Sequence, residues 1–130
     1  MRGLLVDLHL HTVLSACAEI DMIPPLIVRR AQTVHLDVIA VTDHNSADNV
    51  GAVIEAAQAI AGPGLAVLPG MEVTSREEAH MLCLFDTLAQ VNQWQAIVHA
   101  ALPQLQNNAE LYGDQLVVDA TGKYVRTEGR

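Results

Sequence analysis

The chemistry-bearing residues of this chain fall in a few short runs. In VDLHLHT, His9 and His11 stand two apart. On an extended strand, positions i and i+2 share a face, so two imidazoles there can chelate one ion. Asp7 shares that face. It is either a carboxylate that hydrogen-bonds a ligand histidine and fixes its tautomer, or a buried group capping nearby backbone. The bland alternative for the histidine pair is the end of an edge strand.

Further donors follow the later apolar runs. Asp43-His44-Asn45 comes directly after VIAVT, where Asp and Asn also serve ordinary turns. Glu72 follows Pro69-Gly70-Met71. Burying such a carboxylate without a partner is costly, and a cation would remove that cost. His80 begins the run AHMLCLF beyond the charged turn Arg76-Glu77-Glu78. If that turn closes a hairpin, Ser75 faces Ala79, Thr74 faces His80 and Glu72 faces Leu82. Glu72 and His80 then become diagonal neighbours on one face, about 7–8 Å apart at the backbone.

Cys17 lies six residues after His11 in a loop of small polar residues. Its thiolate suits a soft-tolerant metal such as zinc, and a small packed side chain is the alternative. Glu19 and Asp21 offer carboxylates in the same loop. Cys83 sits mid-strand as packing, and His35 and His99 fall on helices away from the rim.

The elements that must position these groups can be read from the pattern. Leu4 to His11 reads as a strand, Pro24 to Val34 as a helix with prolines in its first turn, and Val38 to Thr42 as a second strand. An Ala-rich helix reaches Ile60 and stops at Gly62-Pro63-Gly64. Leu65 to Leu68 reads as a third strand, followed after Pro69-Gly70 by the hairpin MEVTS/AHMLCLF. Asp86 can cap a helix from about Leu88 to Leu102, ended by Pro103. QLVVD and KYVRT form a last hairpin. Alternating strands and helices specify an α/β fold with parallel strands and added β-hairpins. In such folds the carboxyl ends of the strands line the functional face, where His9, His11, Asp43, His44 and Glu72 should converge.

Composition bounds the reading. The chain has 130 residues, 51% of them hydrophobic but only 3% aromatic, so the core is aliphatic. That length buries about two-thirds of its surface without disulfides. Seven basic against fifteen acidic residues give a net charge of −8. This argues against nucleic acid and anionic membranes as partners. Two cysteines without framework spacing, and no signal or membrane segment, place the expected site of action in the cytoplasm.

The runs VDLHLHT, VIAVTDHN, LPGMEVTS and AHMLCLF, in this order, resemble the PHP (polymerase and histidinol phosphatase) family, most of all its stand-alone metal-dependent phosphoesterases. The resemblance covers about residues 3 to 126. It implies a distorted (βα)7 barrel with two or three divalent metal ions, Zn, Mn or Fe, at one rim. It implies His9 and His11 on a first metal, Glu72 bridging first and second, His80 on the second and His44 on a third. These five would act in catalysis through the metal, with Asp7 and Asp43 supporting them. Cys17 occupies the place of a further third-metal ligand, usually His, Asp or Glu. The implied reaction is hydrolysis of a small phosphate monoester or diester by metal-activated water.

The family pattern continues with another His motif and Asp-x-His, which this sequence does not contain up to Arg130. The expectation is therefore a single PHP-like domain over residues 1–130, truncated on its C-terminal side, whose open strand edges favour self-association. Three alternatives remain. One is a non-catalytic metal-binding remnant or fragment of a PHP domain. Another is an amidohydrolase-like metal hydrolase, which also begins with His-x-His. The third is an accessory module of a DNA polymerase, against which the acidic balance speaks.

Overall fold

The computed structural model describes residues 2–129. The chain begins with strand β1 (Val6–Leu10), helix α1 (Pro24–Thr33), strand β2 (Val38–Val41) and helix α2 (Val50–Ile60). After a 3-10 turn at Gly62–Gly64 come β3 (Ala66–Thr74) and β4 (His80–Leu84). Helix α3 (Leu88–Ala101), a single turn α4 (Ala109–Tyr112), and the hairpin β5 (Gln115–Val118) and β6 (Tyr124–Glu128) complete it.

The main sheet has the order β1-β2-β3-β4, parallel from β1 to β3 and antiparallel from β3 to β4. This is a mixed α/β fold in which a curled, mainly parallel sheet makes a half-barrel. One aliphatic core joins the layers: Ile27, Val28 and Ala31 of α1, Ile39 and Val41 of β2, Val50 and Val53 of α2, Met71 of β3 and Val91 of α3. Each large aliphatic side chain fully buried there contributes about 1.5–3 kcal/mol.

Two sequence expectations need correction. Leu65–Leu68 is not a strand separate from the hairpin arm, because β3 runs unbroken through Pro69-Gly70. Pro69 is the last residue paired with β2, opposite Val41, and Gly70 is the first paired with β4, opposite Leu84. A proline lacks a ladder donor, and it is tolerated here at the exchange from one partner to the other. Gly70 permits the close approach: a Cβ would lie 2.9 Å from Thr42 Cγ2 and 3.0 Å from the Cys83 carbonyl.

The second correction concerns α3. Its cap is Thr87, not Asp86: Thr87 accepts from the Gln90 amide while the Gln90 side chain reaches back to the cap's own N–H. The single turn α4 has no counterpart in the sequence reading. The predicted hairpin register holds, with Thr74 opposite His80 and Glu72 opposite Leu82.

The β5–β6 hairpin docks beside the strand ends through Asn49, which is fully buried. Its amide nitrogen donates to Thr12 Oγ1 and the Leu116 carbonyl, and its oxygen accepts from the Val118 amide.

Candidate metal centre

Four elements bring the donors to one rim. β1 carries His9 and delivers His11 just beyond its end; the turn after β2 carries Asp43 and His44; β3 carries Glu72; β4 opens with His80. Glu72 is the centre. Its side chain is 4% exposed, and four imidazoles surround it. Glu72 Oε2 lies 2.9 Å from His9 Nε2 and 2.7 Å from His11 Nε2. Glu72 Oε1 lies 2.8 Å from His80 Nδ1. His44 Nδ1 stands farther off, 3.8 Å from Oε2. Strand alternation brings Glu72 and His80 into contact from adjacent strands, as the hairpin register requires.

The backbone of Glu72 is tied to the same neighbours. Its N–H donates to the Asp43 carbonyl at 3.0 Å, and its carbonyl accepts from the Asn45 N–H at 2.9 Å. The turn carrying His44 is thereby registered on β3.

Three donor groups form among the described residues: His9, His11 and Glu72; His44, Glu72 and His80; and His11, Cys17 and His44. Cys17 Sγ is 3.4 Å from His11 Nδ1. Neither Glu19 nor Asp21 joins any of these groups. The set suits divalent metal. Two ligands at about 2.0–2.1 Å from one tetrahedral ion stand about 3.3 Å apart. His9 Nε2 and His11 Nε2 are 3.1 Å apart, and both lie at comparable distance from one carboxylate oxygen. Imidazole, carboxylate and thiolate together match zinc or a similar transition metal better than calcium.

Electrostatics set the charge state of these groups. Burial pushes the Glu72 carboxyl up, but hydrogen bonds from His9 and His80, the charge of His44 and a hydrogen bond from His11 outweigh it, leaving a pKa of about 2. Glu72 is therefore an anion at neutral pH. Burial and the neighbouring His11 and His80 press the His44 pKa below its usual value, against the pull of Glu72 and Asp43. His44 accordingly keeps a free lone pair for a ligand role.

Asp43 lies beneath the rim and is fully buried. Its oxygens accept from the Thr12 amide (2.7 Å), Thr12 Oγ1 (2.6 Å) and Ser15 Oγ (2.7 Å). Burial raises its pKa despite these bonds. Ser15 Oγ also accepts the His44 amide at 3.1 Å, so Asp43 fixes the loop from which His44 projects. Asp7 Oδ1 accepts the His9 backbone N–H at 3.1 Å and makes no described bond to an imidazole. Cys83 is partly buried on β4, and His35 has no part in the three donor groups.

Sequence reasoning missed Thr12, Ser15 and Asn49, the polar groups beneath the rim. Their only signal was position, since all three follow a strand in loops on the functional side. It also assigned His99 no role, although its Nε2 donates to the Asn45 carbonyl at 2.7 Å.

Comparison with known proteins agrees with this geometry. The family described as PHP domain matches residues 7–124. Among solved structures, the chain is similar to a candidate metal-dependent phosphoesterase from Bifidobacterium adolescentis. The two are 28% identical with a TM-score of 0.56, over 77% of this chain and 35% of that one. The chain thus spans about a third of that protein's length. No curated protein matches it.

Proposed function

The chain belongs to the PHP domain family, and from that premise we propose that it is a metal-dependent hydrolase acting on phosphate esters. The observation that carries this reading is the buried Glu72 carboxylate, whose two oxygens face different imidazoles, His9 and His11 on one side and His80 on the other. In this reading His9, His11 and Glu72 hold one divalent ion, Glu72, His80 and His44 a second, and Cys17 with His11 and His44 offers a third position. The four-stranded half-barrel corresponds to part of a seven-stranded barrel. Zinc, manganese and iron are the candidate metals.

Divalent ions there would supply Lewis acidity toward phosphoryl oxygens and activate a water for attack. The chain's own residues set the conditions. Glu72 stays anionic and so lowers the cost of gathering cations beside one another. His44 stays neutral and able to ligate. The imidazoles of His9 and His80 are about half exposed, which leaves the rim open to a small phosphorylated substrate. Cations also reconcile an anionic substrate with a protein of net charge −8.

The test pairs metal content with turnover. Purified protein should carry zinc, manganese or iron and release phosphate from monoester or diester substrates. His9→Ala and Glu72→Ala should each lower turnover by at least about a hundredfold while far-UV circular dichroism is retained. Full activity in either variant would overturn the site assignment. Bound metal with hydrolysis of amides or cyclic ureas in place of phosphate esters would favour an amidohydrolase-like reaction. Bound metal with no turnover would identify a binding module.

A further inference from the structure

We propose that Gln95 and His99 are positioning residues that clamp the turn carrying His44. They sit four apart on α3, so both side chains leave the same face of that helix. Each grips a different part of the turn. Gln95 Oε1 accepts from Ser46 Oγ at 3.2 Å and from the Ala47 N–H, and Gln95 Nε2 donates to Asp48 Oδ1 at 2.9 Å. His99 Nε2 donates to the Asn45 carbonyl at 2.7 Å.

The turn needs such a grip. His9, Glu72 and His80 lie on strands and inherit their direction from a hydrogen-bonded ladder. His44 lies beyond the end of β2 and is joined to β3 by a single bridge at Glu72. The next residue, Asn45, holds a φ of +53°. Asparagine reaches that left-handed conformation more readily than most side chains, and the bonds around the turn decide whether it is held there. Asn45 Oδ1 is buried without a hydrogen-bond partner among the described residues, so its side chain gives no such help. The enforcing bonds are those of the backbone: the Asn45 N–H to the Glu72 carbonyl, and the Asn45 carbonyl from His99. Neither clamp residue belongs to the three donor groups, so both act only through the loop.

The consequence for metal binding rests on the reading of the rim as a metal centre; the positioning itself does not. Nuclear magnetic resonance of the metal-free protein therefore comes first. His99→Ala and Gln95→Ala should each speed exchange of the Asn45 amide about tenfold and shift the His44 imidazole resonances, leaving those of His9 in place. His99→Gln keeps an N–H near the same position and should restore wild-type values. In zinc titrations, both alanine variants should weaken the binding step that uses His44 about tenfold and spare the step that uses His9 and His11. Unchanged exchange and shifts in both alanine variants, or a His99→Gln protein that behaves like His99→Ala, would overturn the clamp. If His99→Ala does not fold, Gln95→Ala and His99→Gln decide the question. A wild-type protein that takes up no zinc would overturn the metal reading alone, since the clamp is judged on the metal-free measurements.

Discussion

Asp43 shows how much of this rim is held by atoms that never reach it. It offers two oxygens to three donors and lies fully out of solvent, so its contribution is geometric. Asp43→Asn replaces one accepting oxygen with an N–H₂ that faces another donor. We expect it to destabilise the fold by about 1–3 kcal/mol, read as a lower denaturation midpoint at unchanged m-value. A midpoint equal to wild type would mean that Thr12 and Ser15 find other acceptors. The ligand candidates themselves were legible in the sequence, because strand alternation ties residue spacing to a shared face. His9 and His11 could be paired from spacing alone, and Glu72 could be matched with His80 from one turn. Thr12, Ser15, Gln95 and His99 could not be found that way. Their roles depend on how a loop and a helix dock against the sheet, and that is a tertiary relation with no local period.

Among the elements, β3 carries most of the organisation and was the one misread. Pro-Gly normally punctuates a chain, so ending a strand at Leu68 followed from local turn chemistry. The tertiary context overrides it, because β3 exchanges partners at that dipeptide and needs neither the proline's missing N–H nor a side chain on the glycine. Gly70→Ala should consequently cost about 1–3 kcal/mol, since its Cβ would press on the Thr42 methyl and on the Cys83 carbonyl. Thermal unfolding would show it. An unaltered melting temperature would mean that β4 can move away from β3 without penalty. The cap of α3 is a smaller instance of the same lesson. Asp86 and Thr87 are both competent N-caps by type, and the reciprocal bond with Gln90 selects Thr87. Helix and strand identities in the first half of the chain were readable from first-turn prolines, an Ala-rich run and short apolar runs. The single turn α4 is too short to show such a signal.

At the scale of the whole molecule, acid should undo more than the rim. A hydrogen bond from the Leu5 amide and the ion pair with Arg2 hold Asp37 below its ordinary pKa of 3.8, against burial. Bonds from the Thr121 hydroxyl and the Lys123 amide do the same for Asp119. Glu72 falls from an ordinary 4.5 to about 2. A carboxyl whose folded pKa is depressed contributes stability that is full above its unfolded value and is lost as pH falls through the folded one. Asp43, raised by burial, works in the opposite sense and loses its contribution as pH rises. His44, held below its ordinary 6.5, acts in the same sense as the three carboxylates, so with four groups against one, stability of the metal-free protein should decline from about pH 6.5 toward pH 2. Asp37→Asn should lie below wild type at pH 7 and converge with it at the acid end of a denaturant series. Parallel curves for the two proteins over the whole range would refute the assignment of Asp37. The sheet order carries one more consequence. β1 and β4 each have a single neighbour in the main sheet, whereas β3 has one on either side. Opening free energies should follow that order, so the peptide groups around Glu72 would be among the last to exchange with deuterium and those of His9 and His80 among the first. The rim would then come apart from its outer arms inward, with its negative centre the longest-lived part.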